Sequence, residues 1–114
     1  MNNDPLKITE LYFNLSNQAN LNAIELLFHP EATYSSAHTG LYYGIDDIMA
    51  MMKKFFDQFS SIHWQINAMK ATDQHITETE FTCLTTDHSG VVVERSGVER
   101  LVVVDALIRH VEVR

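Results

Sequence analysis

Four side chains in the first third of the chain have the chemistry of a small-molecule site: Tyr12, Tyr34, Ser36 and His38. The last three are spaced two residues apart, so an extended segment places them on one face. A buried tyrosine is a neutral hydrogen-bond donor, and the imidazole of His38 can act as an acid or a base. The alternatives are a structural Tyr12 packed on its own helix and a solvated His38 in a glycine-containing loop.

Apolar residues that suit the wall of a ligand-binding cavity follow in the sequence. Met52 and Phe55 belong to a segment rich in methionine and phenylalanine, whose side chains can line such a cavity. Trp64 lies near the start of the first long predicted strand and offers a further ligand contact. The alternative for all three residues is plain core packing.

Charged residues of the C-terminal half each allow two interpretations. Arg100 interrupts an otherwise apolar strand, where it can bind a carboxylate or pair with an internal acid. Alternatively, Glu99 and Arg100 mark a strand edge where the chain bends after Gly97. Glu78 and Glu80 share a strand face, which suggests a carboxylate pair for acid-base chemistry or, as we expect, a solvated acidic stripe.

The composition argues against several classes of protein. Fifteen acidic and eight basic residues give the 114-residue chain a formal net charge of -7. Lys53-Lys54 is its one basic pair, so we expect neither nucleic acid nor a membrane surface as a partner. The lone Cys83 excludes an internal disulfide, and the sequence lacks metal-site motifs, so we expect no metal and no cofactor. The polar start from Met1 to Asp4 and the lack of a long apolar run predict a cytoplasmic protein.

Periodicity predicts three helices that position the candidate residues. The Asp4-Pro5 pair starts the first helix, which ends near Asn17. Asn20 caps a second, short helix that cannot continue past Pro30. The third helix has the strongest periodicity and takes its cap from the Asp46-Asp47 pair. Its apolar face consists of residues at intervals of four, three and four: Ile48, Met52, Phe55 and Phe59.

Strands are predicted from alternation and apolar runs. A short strand covers Ala32 to Ser36, a loop follows, and four long strands cover about residues 62–71, 75–86, 91–104 and 107–114. We interpret Ser96-Gly97 as a β-bulge in preference to a hairpin turn, because strands this long must curve. One domain is expected over residues 1–114, of the α+β class, with three N-terminal helices packed on a strongly curved antiparallel sheet.

Three segments carry a resemblance to a known superfamily. They are residues 21–34, LNAIELLFHPEATY, residues 40–48, GLYYGIDDI, and residues 102–108, VVVDALI. With the order of the elements, they resemble the nuclear transport factor 2-like superfamily, which includes SnoaL-like polyketide cyclases and ketosteroid isomerases. The resemblance spans nearly everything from Leu6 onward. It implies a cystatin-like cone around a mostly apolar cavity, and a homodimer through the outer sheet face. The apolar runs at 91–93 and 101–104 suit such an interface or ordinary buried strands.

The resemblance also implies roles for individual residues. Tyr12 falls where ketosteroid isomerases place the tyrosine that donates a hydrogen bond to a developing oxyanion. The general-base aspartate of those isomerases falls on Ser36, whose hydroxyl is not basic. Their protonated aspartic acid falls near Arg100, which is always charged and which the resemblance points inward beside Val102 and Val104. Steroid isomerisation by the known mechanism is therefore not expected.

Three functions are consistent with the sequence. The first is a pocket enzyme of isomerase or cyclase type that acts on a small apolar carbonyl or ring substrate, with Tyr12, His38 and Arg100 as catalytic residues. It fails if these side chains face solvent or separate compartments. The second is a non-catalytic ligand-binding module, which requires a cavity of ligand size. The third is a dimeric assembly subunit, which a strict monomer at micromolar concentration would exclude.

Overall fold

The computed structural model describes residues 4–114, so Met1 to Asn3, on which the cytoplasmic prediction partly depends, lie outside the described residues. The described part forms three helices and six strands. In chain order they are α1 (Pro5–Asn17), α2 (Leu21–Glu25), β1 (Phe28–Ser36), β2 (Gly40–Tyr43), α3 (Ile45–Asp57), β3 (Phe59–Ala71), β4 (Ile76–Asp87), β5 (Val92–Val104) and β6 (Leu107–Val113). The α+β class and the four long strands are confirmed.

Helices α1 and α2 begin where a short polar side chain accepts a hydrogen bond from a free N–H group. Oδ1 of Asp4 accepts from the backbone N–H of Leu6 at 3.0 Å, so the predicted cap of α1 is confirmed. The predicted cap of α3 is wrong, because α3 starts after Gly44 without a side-chain cap. The Asp46-Asp47 pair lies in the first turn instead, where negative charge favours the helix dipole. None of the helices within residues 4–114 is long and apolar enough to cross a membrane.

The six strands form one curved, mixed sheet in the order β2-β1-β6-β5-β4-β3. Strands β3 to β6 pair antiparallel with their neighbours, but β1 runs parallel to β6, with Tyr34 opposite Val111. The prediction of a purely antiparallel sheet is therefore wrong at this ladder. Local alternation of apolar and polar residues identifies each strand. It does not show whether two strands that are distant in sequence pair in parallel or antiparallel.

The segment before α3 contains more strand than predicted. β1 starts at Phe28 rather than Ala32, and the predicted loop contains β2, which pairs with β1 so that Ser36 lies opposite Gly40. Pro30 is accommodated inside β1 because the register with β6 shifts around it. The hairpin places the end of β1 beside α3.

The helices cover one face of the sheet, which we term the inner face, and the opposite side is the outer face. α1 packs on β3, β4 and β5, and α3 packs on β1, β2 and β3. On β4, Thr77, Thr79 and Phe81 are buried on the inner face, whereas Glu78 and Glu80 point outward as the expected acidic stripe. The core between the layers consists of apolar side chains that are almost fully buried: Ile8, Phe13, Ile24, Ile48, Leu101, Val103, Ile108 and Val111.

Gly97 lies in a regular part of β5, so the predicted β-bulge is wrong. The ladder with β4 runs through Gly97 without a register shift and pairs it with Phe81. A Cβ atom at position 97 would lie 2.8 Å from the carbonyl oxygen of Arg114 and 2.9 Å from Cζ of Phe81. Glycine fits because backbone and an aromatic ring approach it closely. Since the alternation is unbroken, Glu99 shares the inner face with Gly97 and Arg100 points outward.

Candidate ligand-binding site

A cavity of about 180 Å³ lies between the inner face of the sheet and helices α1 and α3. In another protein, an apolar cavity of about 150 Å³ holds benzene. The space therefore suits one ring with small substituents. Every layer contributes to the wall, which is formed by Tyr12, Phe13, Ser16, Tyr34, Ser36, His38, Thr39, Met51, Met52, Phe55, Phe56, Phe59, Trp64, Phe81, Cys83, Thr85, Val93, Arg95, Ser96, Gly97, Glu99 and Val113.

The cavity is exposed at one end and buried at the other. The polar residues at the exposed end, which we term the mouth, are His38, Thr39, Arg95 and Ser96. The polar groups at the buried end, which we term the deep end, belong to Tyr12, Tyr34 and Glu99. β5 connects the two ends, because its inner-face positions become more buried from Arg95 through Gly97 to Glu99.

Glu99 is the only acid that lines the cavity within the described residues. It is 4% exposed, and it lies opposite Thr79 of β4. Oε2 of Glu99 and Oγ1 of Thr79 are both buried without a hydrogen-bond partner in the described part of the chain. Burial raises the pKa of Glu99 to about 8, because desolvation disfavours the charged form. At pH 7 the side chain is therefore mostly a neutral acid with a proton to donate.

Two tyrosine hydroxyls accompany Glu99 at the deep end. Burial is the main cause that raises the pKa of Tyr12 and of Tyr34, and the charge of Glu99 adds to both shifts. The Tyr12 ring is buried and packs edge-on against Phe28, with ring centroids 5.9 Å apart. Both phenols remain neutral hydrogen-bond donors across the physiological pH range. Tyr12 and Tyr34 also hydrogen-bond to each other. The deep end thus offers the Glu99 carboxyl and this phenol pair as neutral donors, a set that suits a ligand oxygen gaining negative charge.

Ser36 and His38 lie where the cavity meets the turn between β1 and β2. Oγ of Ser36 accepts hydrogen bonds from the backbone N–H groups of His38 at 3.1 Å and Thr39 at 3.3 Å, so Ser36 also holds this turn. His38 is exposed at the mouth and lines the cavity. Among the described residues it supplies the one imidazole of the wall, and it is therefore the candidate base.

Arg100 lies outside the cavity, and the prediction that it points inward is wrong. Its Nε donates to Oε2 of Glu78 at 2.9 Å, and its Nη1 donates to Oε1 of Glu112 at 3.0 Å, on the outer face. The hydrogen bonds to Glu112 and Glu78 raise the pKa of the guanidinium. The resemblance placed Arg100 inward beside Val102 and Val104, whereas the regular alternation of β5 through Gly97 turns Glu99 inward and Arg100 outward.

Met52, Phe55 and Trp64 form part of an aromatic and apolar wall. The ring centroid of Phe55 lies 5.3 Å from that of Phe59 and 6.4 Å from that of Trp64. Asn17, at the end of α1, fixes the backbone of Trp64: its Oδ1 accepts from the Trp64 N–H at 2.7 Å and its Nδ2 donates to the Trp64 carbonyl at 3.0 Å. The helix thereby positions the strand that supplies the wall.

Cys83 contributes a thiol to the wall that is unreactive at neutral pH. Burial raises the pKa of the thiol to about 11, so little of the nucleophilic thiolate is present. Among residues 4–114, no group of three or more His, Cys, Asp or Glu side chains is arranged to hold a metal ion.

Seven of the eight residues predicted as catalytic or ligand-binding line the cavity, and Arg100 does not. Their functional roles remain predictions. Sequence reasoning misses Glu99 and Arg95 as wall residues. One signal was available for both: in a regular β5, Arg95, Gly97 and Glu99 share one face, and Phe81 on the neighbouring strand identifies that face as the buried one.

The fold and the cavity define a class of small α+β proteins in which helices and a curved sheet enclose a ligand-sized pocket. The chain belongs to the SnoaL-like domain family, whose model matches residues 9–111. The resemblance identified from the sequence is confirmed. The matched range includes the mouth and the deep end of the cavity. A comparison of the sequence with curated proteins found no significant match.

Solved structures with the same fold belong to proteins of different kinds. An LEH-like epoxide hydrolase of M. tuberculosis has a TM-score of 0.85 and 13% identity, over 96% of this chain and 80% of that one. A Catenulispora acidiphila protein with a ketosteroid isomerase-like fold, solved in complex with trimethylamine, has a TM-score of 0.85 and 15% identity, over 94% and 83%. A proposed polyketide cyclase of Xanthomonas campestris has a TM-score of 0.82 and 13% identity, over 94% and 86%. At these identities the likeness shows the fold alone.

Proposed function

We propose that this chain binds a small, mostly apolar ring molecule with its carbonyl oxygen at the deep end, and that it promotes proton transfer at the carbon beside that carbonyl. This is chemistry of the isomerase and cyclase type. The observation that carries the proposal is the buried carboxyl of Glu99, whose Oε2 lacks a partner in the described part of the chain, and burial raises the pKa of this carboxyl to about 8. Buried polar groups without a partner are rare and costly, so a ligand oxygen is the partner we expect.

Each polar residue of the wall has a distinct role in this proposal. Glu99 and the hydrogen-bonded pair of Tyr12 and Tyr34 donate to the carbonyl oxygen. When a proton leaves the neighbouring carbon, negative charge develops on that oxygen, and the donors then bind it more strongly than in the ground state. A tyrosine and a protonated carboxylic acid form the oxyanion site of ketosteroid isomerase in the same way. His38 at the mouth accepts the proton, because the hydroxyl of Ser36 is not basic.

Binding of acetophenone, an aryl ketone without a titratable group, tests the role of Glu99. Trp64 is the only tryptophan of the chain and lines the cavity, so its fluorescence reports binding. We expect the wild-type affinity to fall as the pH rises through about 8, because Glu99 then loses its donor proton. Glu99→Gln should bind without this pH dependence, and Glu99→Leu should bind weakly at every pH. Wild-type affinity in Glu99→Leu would refute the proposal.

Exchange of the acetophenone methyl protons for deuterium tests catalysis separately from binding. In D2O the wild type should accelerate the exchange above the buffer rate, and His38→Gln should reduce the rate because the base is lost. His63→Gln is the matched control, since His63 lies opposite Leu84 on the outer face of β3. Binding without any exchange would favour the non-catalytic ligand-binding module.

A methylated ammonium ion is a second candidate ligand. Aromatic rings dominate the wall beside Glu99, and aromatic cages bind quaternary ammonium groups. The Catenulispora acidiphila relative was solved with trimethylamine. The pH dependence separates the two candidates. Tetramethylammonium needs the ionised carboxylate, so its affinity should rise as the pH increases through about 8, whereas that of acetophenone should fall.

We also propose that two copies of the chain pair through the outer face. Val92 is 61% exposed and Leu84 is 39% exposed there, on adjacent strands. Exposed apolar side chains that lie together mark interaction sites. Light scattering at micromolar concentration should give twice the chain mass of 13.0 kDa, and Val92→Lys should dissociate the dimer. The control is Leu41→Lys on β2, where Leu41 is 63% exposed. A strict monomer would refute the pairing.

A further inference from the structure

Arg95 is the one cationic side chain of the cavity wall within the described residues. It lies opposite Cys83 in the ladder between β4 and β5, on the same face as Gly97 and Glu99. Its positive charge acts on the Cys83 thiol, lowering the thiol's pKa against the larger effect of burial. Arg95 is exposed, and it is therefore available to a ligand that enters the mouth.

Arg95 differs from Arg100 and Arg114 in its partners. Arg100 is bound to Glu78 and Glu112, and Arg114 lies 3.9 Å from a carboxylate oxygen of Glu112. Across residues 4–114, Arg95 makes no ion pair within 4.0 Å and no side-chain hydrogen bond, although the chain carries fifteen acidic residues.

The charged groups that face Arg95 do not neutralise it. Glu94 points to the outer face, opposite Leu84. Glu99 lies four residues further along β5, which corresponds to about 13 Å between Cα atoms in an extended strand. His38, across the mouth, carries no negative charge. An arginine in this setting offers an uncommitted, planar set of donors to an anion.

We propose that the ligand of this cavity carries a carboxylate or a similar anionic group at its solvent-facing end, and that Arg95 binds this group and selects for it. The inference rests on the proposed function, because it requires the ring and carbonyl of the same ligand to occupy the deep end. A ring with its carbonyl and its anionic group at opposite positions directs one group toward Glu99 at the deep end and the other toward Arg95 at the mouth. The substrate class is thus small aromatic or cyclic keto acids rather than neutral ketones.

Two probes that differ only in charge test the role of Arg95. They are 4-acetylbenzoate and 4-acetylbenzamide, titrated at pH 6.5, where Glu99 is protonated and the benzoate is ionised. Trp64 fluorescence reports binding of both. The wild type should prefer the carboxylate by about tenfold or more, as expected for a hydrogen bond between charged groups. Arg95→Gln should reduce this preference to below about threefold. Arg100→Gln, with the same change of charge on the outer face, should retain the preference.

The results distinguish failure of this inference from failure of the proposed function. If the wild type binds both probes equally, or if Arg95→Gln keeps the preference, the inference is wrong, and the proposed function stands as long as the amide binds in a manner dependent on Glu99. If neither the amide nor acetophenone binds, both are wrong. Thermal unfolding of Arg95→Gln should match that of the wild type, since the side chain is exposed and without bonds to the described chain.

Discussion

Glu99 and Arg100 are neighbours on β5, yet their charged groups have opposite environments. Arg100 points to the outer face, where two carboxylates accept its hydrogen bonds at 2.9 and 3.0 Å. Glu99 points to the inner face, where it is 4% exposed and its Oε2 has no partner among residues 4–114. The fold supplies hydrogen-bond partners for the Arg100 side chain but none, within the described residues, for Oε2 of Glu99.

The difference indicates which charged residue serves the structure and which serves a ligand. A surface ion pair with complete hydrogen bonding contributes little stability and needs nothing further. A buried acid without a partner lowers stability, and such groups are typical of functional sites. Substitutions on each face test this contrast.

Glu99→Gln should produce the largest change in the free energy of unfolding, and the size of this change depends on pH. The folded protein keeps a proton on Glu99 up to about pH 8, whereas the unfolded chain releases it near the ordinary pKa of 4.5. The wild-type free energy of unfolding should therefore fall as the pH rises between these values and then level off, by roughly 3 to 5 kcal/mol in total. Glutamine has no proton to lose, so the variant gains stability relative to the wild type as the pH rises.

Urea unfolding from pH 5 to pH 9 measures this difference. Glu80→Gln is the matched control, because Glu80 is exposed on the outer face of β4, and it should keep the wild-type pH dependence. Equal slopes for the wild type and Glu99→Gln would show that Glu99 is ionised in the folded protein.

Gly97→Val should produce the next largest change in the free energy of unfolding. It tests whether β5 continues without a bulge at Gly97. The added side chain meets the carbonyl oxygen of Arg114 and the Phe81 ring at less than 3.0 Å. We expect a loss of about 1 to 3 kcal/mol in the free energy of unfolding, as for other overpacked sites. Ser96→Ala, one residue away, is the control and should cost less. A stable Gly97→Val protein would imply a bulge and hence reversed faces after residue 97.

Tyr12→Phe should change ligand binding more than stability. The phenol oxygen belongs to the deep end, and its loss should weaken acetophenone binding by about tenfold, the value of one hydrogen bond. The buried ring and its packing on Phe28 are retained. Tyr43→Phe is the control, since Tyr43 is 67% exposed on β2. Unchanged affinity in Tyr12→Phe would remove Tyr12 from the binding site.

Arg100→Gln should have the smallest effect. Its ion pairs are exposed, so we expect a slight decrease in Tm that disappears at high salt, and no change in acetophenone binding. Thermal scans at two salt concentrations and the fluorescence titration measure both quantities. Loss of ligand binding would contradict the outward position of Arg100.

The parts of the fold that could be predicted are those with local sequence signals. The Asp4 cap and the apolar spacing on α1 are local signals, and they give α1 its correct bounds. The alternation on β4 correctly assigns Phe81 and Glu80 to opposite faces. Strand β2 is missed because it begins with Gly40, is followed by Gly44, and shows no clear alternation in its four residues. The parallel pairing of β1 with β6 depends on contacts distant in sequence.

The site could be predicted less completely, for a specific reason. Residues 101–104 are apolar on both faces, so alternation alone cannot tell which face of β5 is buried. The resemblance then placed Arg100 inward in place of Glu99. A one-residue error in register exchanges every side chain between the faces. In the structure Gly97 pairs with Phe81 of the inner face, which places Glu99 on the inner face and Arg100 on the outer face.

Measuring the pKa of Glu99 in the folded protein tests most directly whether the deep end carries a neutral acid. A ¹³C NMR titration of the glutamate side-chain carboxyl groups measures it, and the Glu99→Gln variant assigns the signal. We predict a midpoint near 8 in the free protein, and a higher midpoint with bound acetophenone, because the ligand requires the protonated form. A midpoint near the ordinary value of 4.5 would contradict the account.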